Sequence, residues 1–246
     1  MGLAGRLSKD KFGFAQPVDA PLYGKPPYYY KGVENMAFAY ETDEEAAADL
    51  LPEGLELTSP ATAQVSFINY PFSTLGPYGE AILGLMCTFQ GQPRFYIAHI
   101  VLDTDSPFAA GREIWGYPKK LAHITLEMDG DLIIGTMERP TGNRICTGVM
   151  RPEEPIPTEP VVPGGGAVSL RVIPSAEEGA EPSVAELIEV PGKSTTLEAW
   201  KGPGFVEFNS HSTLDPWYKL SVKRMLGASY RKYDMILDYG KIIKRY

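Results

Sequence analysis

The chain has 246 residues, with 23 Lys and Arg against 31 Asp and Glu, for a formal charge of −8. That length supports one large domain without disulfide or metal staples, and an acidic surface excludes nucleic-acid phosphate and anionic lipid as expected partners. Twenty-five Gly and 22 Pro argue against a helical bundle and for short strands joined by turns.

Residues 1–31 are rich in Pro, Gly and Tyr and carry no helical period. They read as an extended arm, draped on its own domain or used between subunits, with Tyr28–Tyr30 as interface pieces. No signal-peptide h-region follows Met1, and no apolar run spans a membrane, so the expected location is the cytoplasm. Glu34–Tyr40 alternates weakly like a strand. Thr42-Asp43-Glu44-Glu45 spells a capping box, with Thr42 as the cap, and Pro52 and Gly54 stop the short helix it opens. Strands are predicted at Gln64–Ile68, Ala81–Phe89, Phe95–Leu102, His123–Met128, Leu132–Met137 and Ile145–Met150, separated by turn signals such as Gly91 and Asp129-Gly130. Ala109–Gly116 reads as one or two helical turns. Pro152–Gly166 is a Pro- and Gly-rich loop. Further strands are expected at Val168–Ile173, Ala185–Val190 and Phe205–Phe208, and a helix over Asp215–Leu226. Many short strands with few helices suggest a barrel or sandwich.

Cys87 and Cys146 sit among apolar or small residues, as buried thiols do, and His99, His123 and His211 are scattered. Neither pattern supports a disulfide framework or a metal site. There is also no GxGxxG after a strand and no GxxxxGK[ST], so no nucleotide, metal or organic cofactor is expected.

The informative stretch is Gly111-Arg112-Glu113-Ile114-Trp115-Gly116-Tyr117-Pro118-Lys119-Lys120-Leu121. Adjacent lysines are most often a solvated pair. Here Trp115, Tyr117 and Leu121 flank them, and Pro118 favours an extended chain. An extended chain sends Lys119 and Lys120 to opposite faces, so one can enter an apolar pocket alone. Free lysine titrates near 10.4, and a neutral amine at pH 7 takes roughly 4 kcal/mol of bias against the ammonium form. Burial or a second ammonium about 4 Å away supplies that bias.

This segment resembles the active-site segment of the acetoacetate decarboxylase family, whose motif is Gly-Arg-Glu, a short spacer, then Tyr/Phe-Pro-Lys-Lys-Leu. Leu51–Glu56, Leu170–Pro174 and Glu198–Pro203 are similar too, and the likeness runs from about Pro27 to about Ile243. The resemblance implies an α+β, mostly antiparallel β fold: a β-barrel with peripheral helices, one domain over 1–246, assembled as a homo-oligomer. It implies that Lys119 is a Schiff-base lysine, Lys120 its modulator and Glu80 an active-site carboxylate. Arg112 and Glu113 are expected to form a local ion pair, and Trp115 either lines the pocket or packs in the core. Val33 and Val65 fall where the family keeps a substrate-facing arginine and a second carboxylate. Asp238-Tyr239 replaces a Pro-Arg pair, which makes Tyr239 a candidate phenol in the pocket.

Three functions fit. The leading one is decarboxylation of a small β-keto acid, such as acetoacetate, through an imine on Lys119. The same imine serves a pyruvate aldolase-dehydratase or a related lyase. The third is a non-catalytic binder of small ligands.

Overall fold

The computed structural model describes residues 2–158 and 166–246. Part of the expected loop Pro152–Gly166 lies outside them. Fourteen strands build the two sheets around the site. They are β1 (Tyr28–Glu41), β2 (Thr62–Tyr70), β3 (Tyr78–Phe89), β4 (Gln92–Leu102), β5 (Lys119–Leu121), β6 (His123–Asp129) and β7 (Leu132–Glu138), followed by β8 (Arg144–Met150), β9 (Ala167–Ile173), β10 (Val184–Val190), β11 (Lys193–Gly202), β12 (Gly204–Phe208), β13 (Arg224–Leu237) and β14 (Lys241–Arg245).

The large sheet runs β11-β13-β1-β2-β3-β4-β9-β10-β14, with β5 parallel to β4; the small one runs β12-β8-β7-β6. Most pairings are antiparallel, as expected. No closed barrel is found among the described residues. The order stays open, ending in β14 on one side and, beyond β11, in the two-residue strand Glu154–Pro155 on the other.

Alternation along each strand splits the core in two. One face of the large sheet presents Met36, Phe38, Val65, Phe67, Ala81 and Leu83 to the small sheet, which answers with Ile133, Met137, Ile145 and Met150. The other face presents Tyr30, Val33, Ile68, Tyr70, Tyr78 and Ile100, closed over by Trp115 and Tyr117. A bulge between Tyr30 and Val33, with Gly32 at φ +62, keeps both residues on this second face.

Several sequence expectations change. The helix cap is Asp43, whose Oδ1 accepts from the Ala46 N–H at 3.0 Å, and the helix α1 is Glu44–Ala48. Thr42 is instead buried with its hydroxyl unpartnered. The hairpin expected at Asp129-Gly130 turns one residue later, because Asp129 still pairs with Leu132. The expected helix over Asp215–Leu226 is a single 3-10 turn, Trp217–Lys219, running into β13. Strand β13 lies between β11 and β1 and is half-buried along much of its length, and β11 has a largely exposed polar pattern. Neither carries an alternation readable from sequence. The expected arm is shorter than 1–31, since Tyr28–Tyr30 already belong to β1. Within the arm, Ala15 and Tyr23 pack on Ala110 of their own chain.

Candidate active site

The Gly111–Lys119 segment positions the lysine. Helix α2 (Asp105–Ala110) continues into a π-turn over Gly111–Trp115. Gly116 ends it at φ +72, where any Cβ would lie 2.2 Å from Arg171 Cα. Only glycine meets both demands. The Arg112 guanidinium donates to the Lys119 carbonyl at 3.1 Å and lies over the Phe108 ring. Gly111 clears the way for the lysine stem: a Cβ there would lie 2.6 Å from both Cδ and Cε of Lys119. The expected Arg112–Glu113 ion pair is not among the pairs of the described residues. Glu113 instead accepts from the Tyr23 hydroxyl and ties the N-terminal arm to this turn.

Lys119 pairs with Ile100 and Lys120 with Val101, so the two ammonium groups leave opposite faces of the sheet. Lys119 Nζ lies 2.9 Å from Glu80 Oε2, with side chains 6% and 5% exposed. The Tyr70 hydroxyl donates to the other carboxylate oxygen, Oε1, at 3.0 Å. The Tyr78 and Tyr117 ring centroids lie 5.7 and 5.8 Å from Nζ, within cation–π range. Tyr78 packs on Tyr70 at 4.3 Å and donates to the Tyr30 hydroxyl at 3.4 Å. Burial pushes the phenols of Tyr30, Tyr70, Tyr78 and Tyr117 well up and that of Tyr233 to about 12. All five are neutral hydrogen-bonding groups at pH 7.

Lys120 belongs to a different cluster. Its ammonium donates to the Leu214 carbonyl and, at 3.1 Å, to Asp215 Oδ1, while Arg139 takes Oδ2 at 2.7 Å. Its charge is thus held on the reverse face by a buried carboxylate, away from Lys119. Trp115 is 1% exposed, donates to the Asp238 carbonyl and stacks on Tyr117, so it backs the site from the core. Val33 is fully buried in the cluster that holds Tyr70 and Tyr78. Val65 pairs with Leu83 and faces the small sheet, so it lies on the opposite side from Glu80. Its strand neighbours Gln64 and Ser66 turn to the site face instead, where Ile68 pairs with Glu80. Tyr239 is 49% exposed, beside Tyr28 at the rim.

Sequence reasoning did not single out Tyr30, Tyr70, Tyr78, Tyr117 or Tyr233 as site residues. Their signal is weak because they sit on separate strands. Tyr70 and Tyr78 meet only because the register pairs them directly.

The family model described as acetoacetate decarboxylase (ADC) matches residues 15–246. The chain belongs to the acetoacetate decarboxylase family. A curated family member, "Acetoacetate decarboxylase" of Acidiphilium cryptum, is 33% identical over 239 residues, 95% of each protein. A second, "Acetoacetate decarboxylase 2" of Mesorhizobium japonicum, is 32% identical over 95% of this chain and 89% of its own. The crystal structure of acetoacetate decarboxylase from Legionella pneumophila superposes with a TM-score of 0.86 at 28% identity, covering 100% of this chain and 99% of that one. The enduracididine biosynthesis enzyme MppR, complexed with pyruvate, superposes with a TM-score of 0.80 at 19% identity, covering 96% and 99%, a likeness of fold alone. The Lys119–Glu80 pair thus sits in a family fold that is matched over almost the whole chain.

Proposed function

We propose that this protein is a lyase that forms a Schiff base between Lys119 and a small keto acid, and that it decarboxylates a β-keto acid to a ketone and CO2. The observation that carries this reading is the buried Lys119–Glu80 contact of 2.9 Å. A proton passing from Nζ to Oε2 leaves a neutral amine and a neutral acid, with no charge left in the pair.

The amine attacks the ketone carbon, and the carbinolamine loses water to give an iminium. The bond between the carboxylate and Cα then breaks. Its electron pair moves onto the carbon chain and neutralises the iminium nitrogen, and CO2 departs. Protonation of the resulting enamine carbon, with Glu80 as the nearby acid, restores the iminium. Water then releases the ketone and frees Lys119. Charge balance favours this route: the substrate carboxylate loses its charge in a shell of phenols and aliphatic side chains. With pyruvate the carboxylate would persist in that shell. Tyr239, the candidate acid for the aldol route, is half exposed at the rim.

The test is CO2 release from acetoacetate and product formation from pyruvate with an aldehyde, on native protein and on Lys119→Ala. We expect lysine-dependent CO2 release, reduced by at least about 10⁴-fold in the variant. Turnover of pyruvate alone would shift the reading to the aldol route. CO2 release unchanged in Lys119→Ala would overturn the Schiff base.

A further inference from the structure

Strand register places a cation on the face of the sheet that holds Glu80. Arg231 of β13 pairs with Asn35 of β1, Asn35 with Ile68 of β2, and Ile68 with Glu80 of β3. Directly paired residues share a face, so these four form one row across the sheet. The adjacent row is Ser229, Ala37, Ser66, Ile82, Ile100 and Lys119. Its first three side chains are small, so the row makes a shallow floor leading from Arg231 towards Lys119.

Arg231 is half-buried. Among the described residues no carboxylate lies within ion-pair distance of it, and its guanidinium makes no side-chain hydrogen bond. An arginine with no protein partner keeps its planar fork of donors available to a carboxylate. Tyr233, two residues on and on the same face, has a buried phenol on which the charges of both Glu80 and Arg231 act. Burial raises the phenol to about 12, so it is neutral at pH 7 and keeps its O–H to donate. The Asn35 Oδ1 is buried and unpartnered. A guanidinium and a phenol therefore stand towards one end of this face of the sheet, with the lysine towards the other.

We infer that Arg231, with the Tyr233 hydroxyl, is a recognition subsite for a second anionic group, one the substrate retains while its β-carboxylate leaves near Lys119. The preferred substrates are then keto acids with a distal carboxylate. Three strand spacings separate the Arg231 and Glu80 backbones, about 14 Å, and the long side chains at both ends span much of that gap. The retained carboxylate thus sits several carbons from the ketone. This inference rests on the Schiff-base reading, because Lys119 fixes the carbonyl end.

The experiment compares 3-oxoadipate, 3-oxopimelate and 3-oxosuberate with monocarboxylic 3-oxo acids of equal chain length, by CO2 release on the native protein and on Arg231→Met and Arg231→Lys. In the native protein, one dicarboxylic length should show a KM about tenfold or more below that of its monocarboxylic counterpart. Arg231→Met should erase that preference and leave kcat on the monocarboxylic acids within about twofold; Arg231→Lys should restore part of it. Equal KM values across both native series would overturn the subsite. So would a preference that survives in Arg231→Met. If Arg231→Met is inactive on every acid, the native series together with Arg231→Lys decides. If the native protein releases no CO2 from any of these acids and borohydride traps none of them on Lys119, it is the Schiff-base reading that fails.

Discussion

Lys119 and Glu80 stand 2.9 Å apart with about one-twentieth of each side chain exposed, so the position of a single proton sets whether the pair holds two charges or none. Tyr70 makes that arrangement directional, because its hydroxyl occupies Oε1 and leaves Oε2 for the lysine. Tyr70→Phe should therefore lower kcat by roughly tenfold through misplacement of Glu80, while costing only about 1 kcal/mol of stability. Steady-state kinetics beside a urea titration checks this, and an unchanged kcat would remove Tyr70 from the account. At this scale the sequence was only half readable. The Tyr-Pro-Lys-Lys-Leu spacing marks Lys119, and the family likeness marks Glu80. Tyr30, Tyr70 and Tyr78 carry no local mark, since their meeting depends on how β1, β2 and β3 register. Val65 shows the converse: a one-residue difference in alignment separates the site face from the opposite one.

The decisive element is the π-turn over Gly111–Trp115, because it delivers the lysine stem past Gly111 and ends on a left-handed Gly116 against the Arg171 backbone. Gly116→Ala meets both a positive φ and a backbone clash, so it should destabilise the fold by about 2–4 kcal/mol. A shift in the denaturation midpoint measures this, and a shift below about 0.5 kcal/mol would show that the turn adapts. The turn was legible as a helical stretch at Ala109–Gly116, but its π geometry was not, because a turn wider than the α-helix leaves no compositional trace. Most strands were legible from β-branched runs bounded by glycine. Strand β13 was not: it is half-buried between neighbouring strands, and the pattern Arg224–Leu237 mixes polar and apolar residues at every spacing.

For the whole molecule, two faces of one large sheet do separate work. One is packed under the small sheet, and the other carries the site. No helix among the described residues is long and apolar enough to cross a membrane. Assembly into a homo-oligomer remains our proposal, with Leu3, Leu7 and Phe12 of the arm exposed for such contacts. Burial, then the nearby Lys120 ammonium, pushes the His99 imidazole down to about 4, against the opposing pull of Asp215. Its folded value lies below the unfolded value of 6.5, so the unfolded chain binds the extra proton between pH 6.5 and 4. Stability is full above that window and falls as the pH drops through it, by up to about 1.4 kcal/mol per pH unit. Urea midpoints at about pH 7, 6 and 5 should show this slope in the native protein and a flatter one in His99→Leu. The same slope in both would assign the loss to other groups.

Catalysis turns on the nucleophile, and borohydride reduction in the presence of acetoacetate, followed by peptide mass mapping, tests it most directly. A three-carbon, acetone-derived adduct on Lys119, absent without the keto acid and absent when acetone at the concentration formed spontaneously is supplied instead, is the predicted result. An adduct on Lys120 or on surface lysines, with Lys119 unmodified in protein that is releasing CO2, would contradict it.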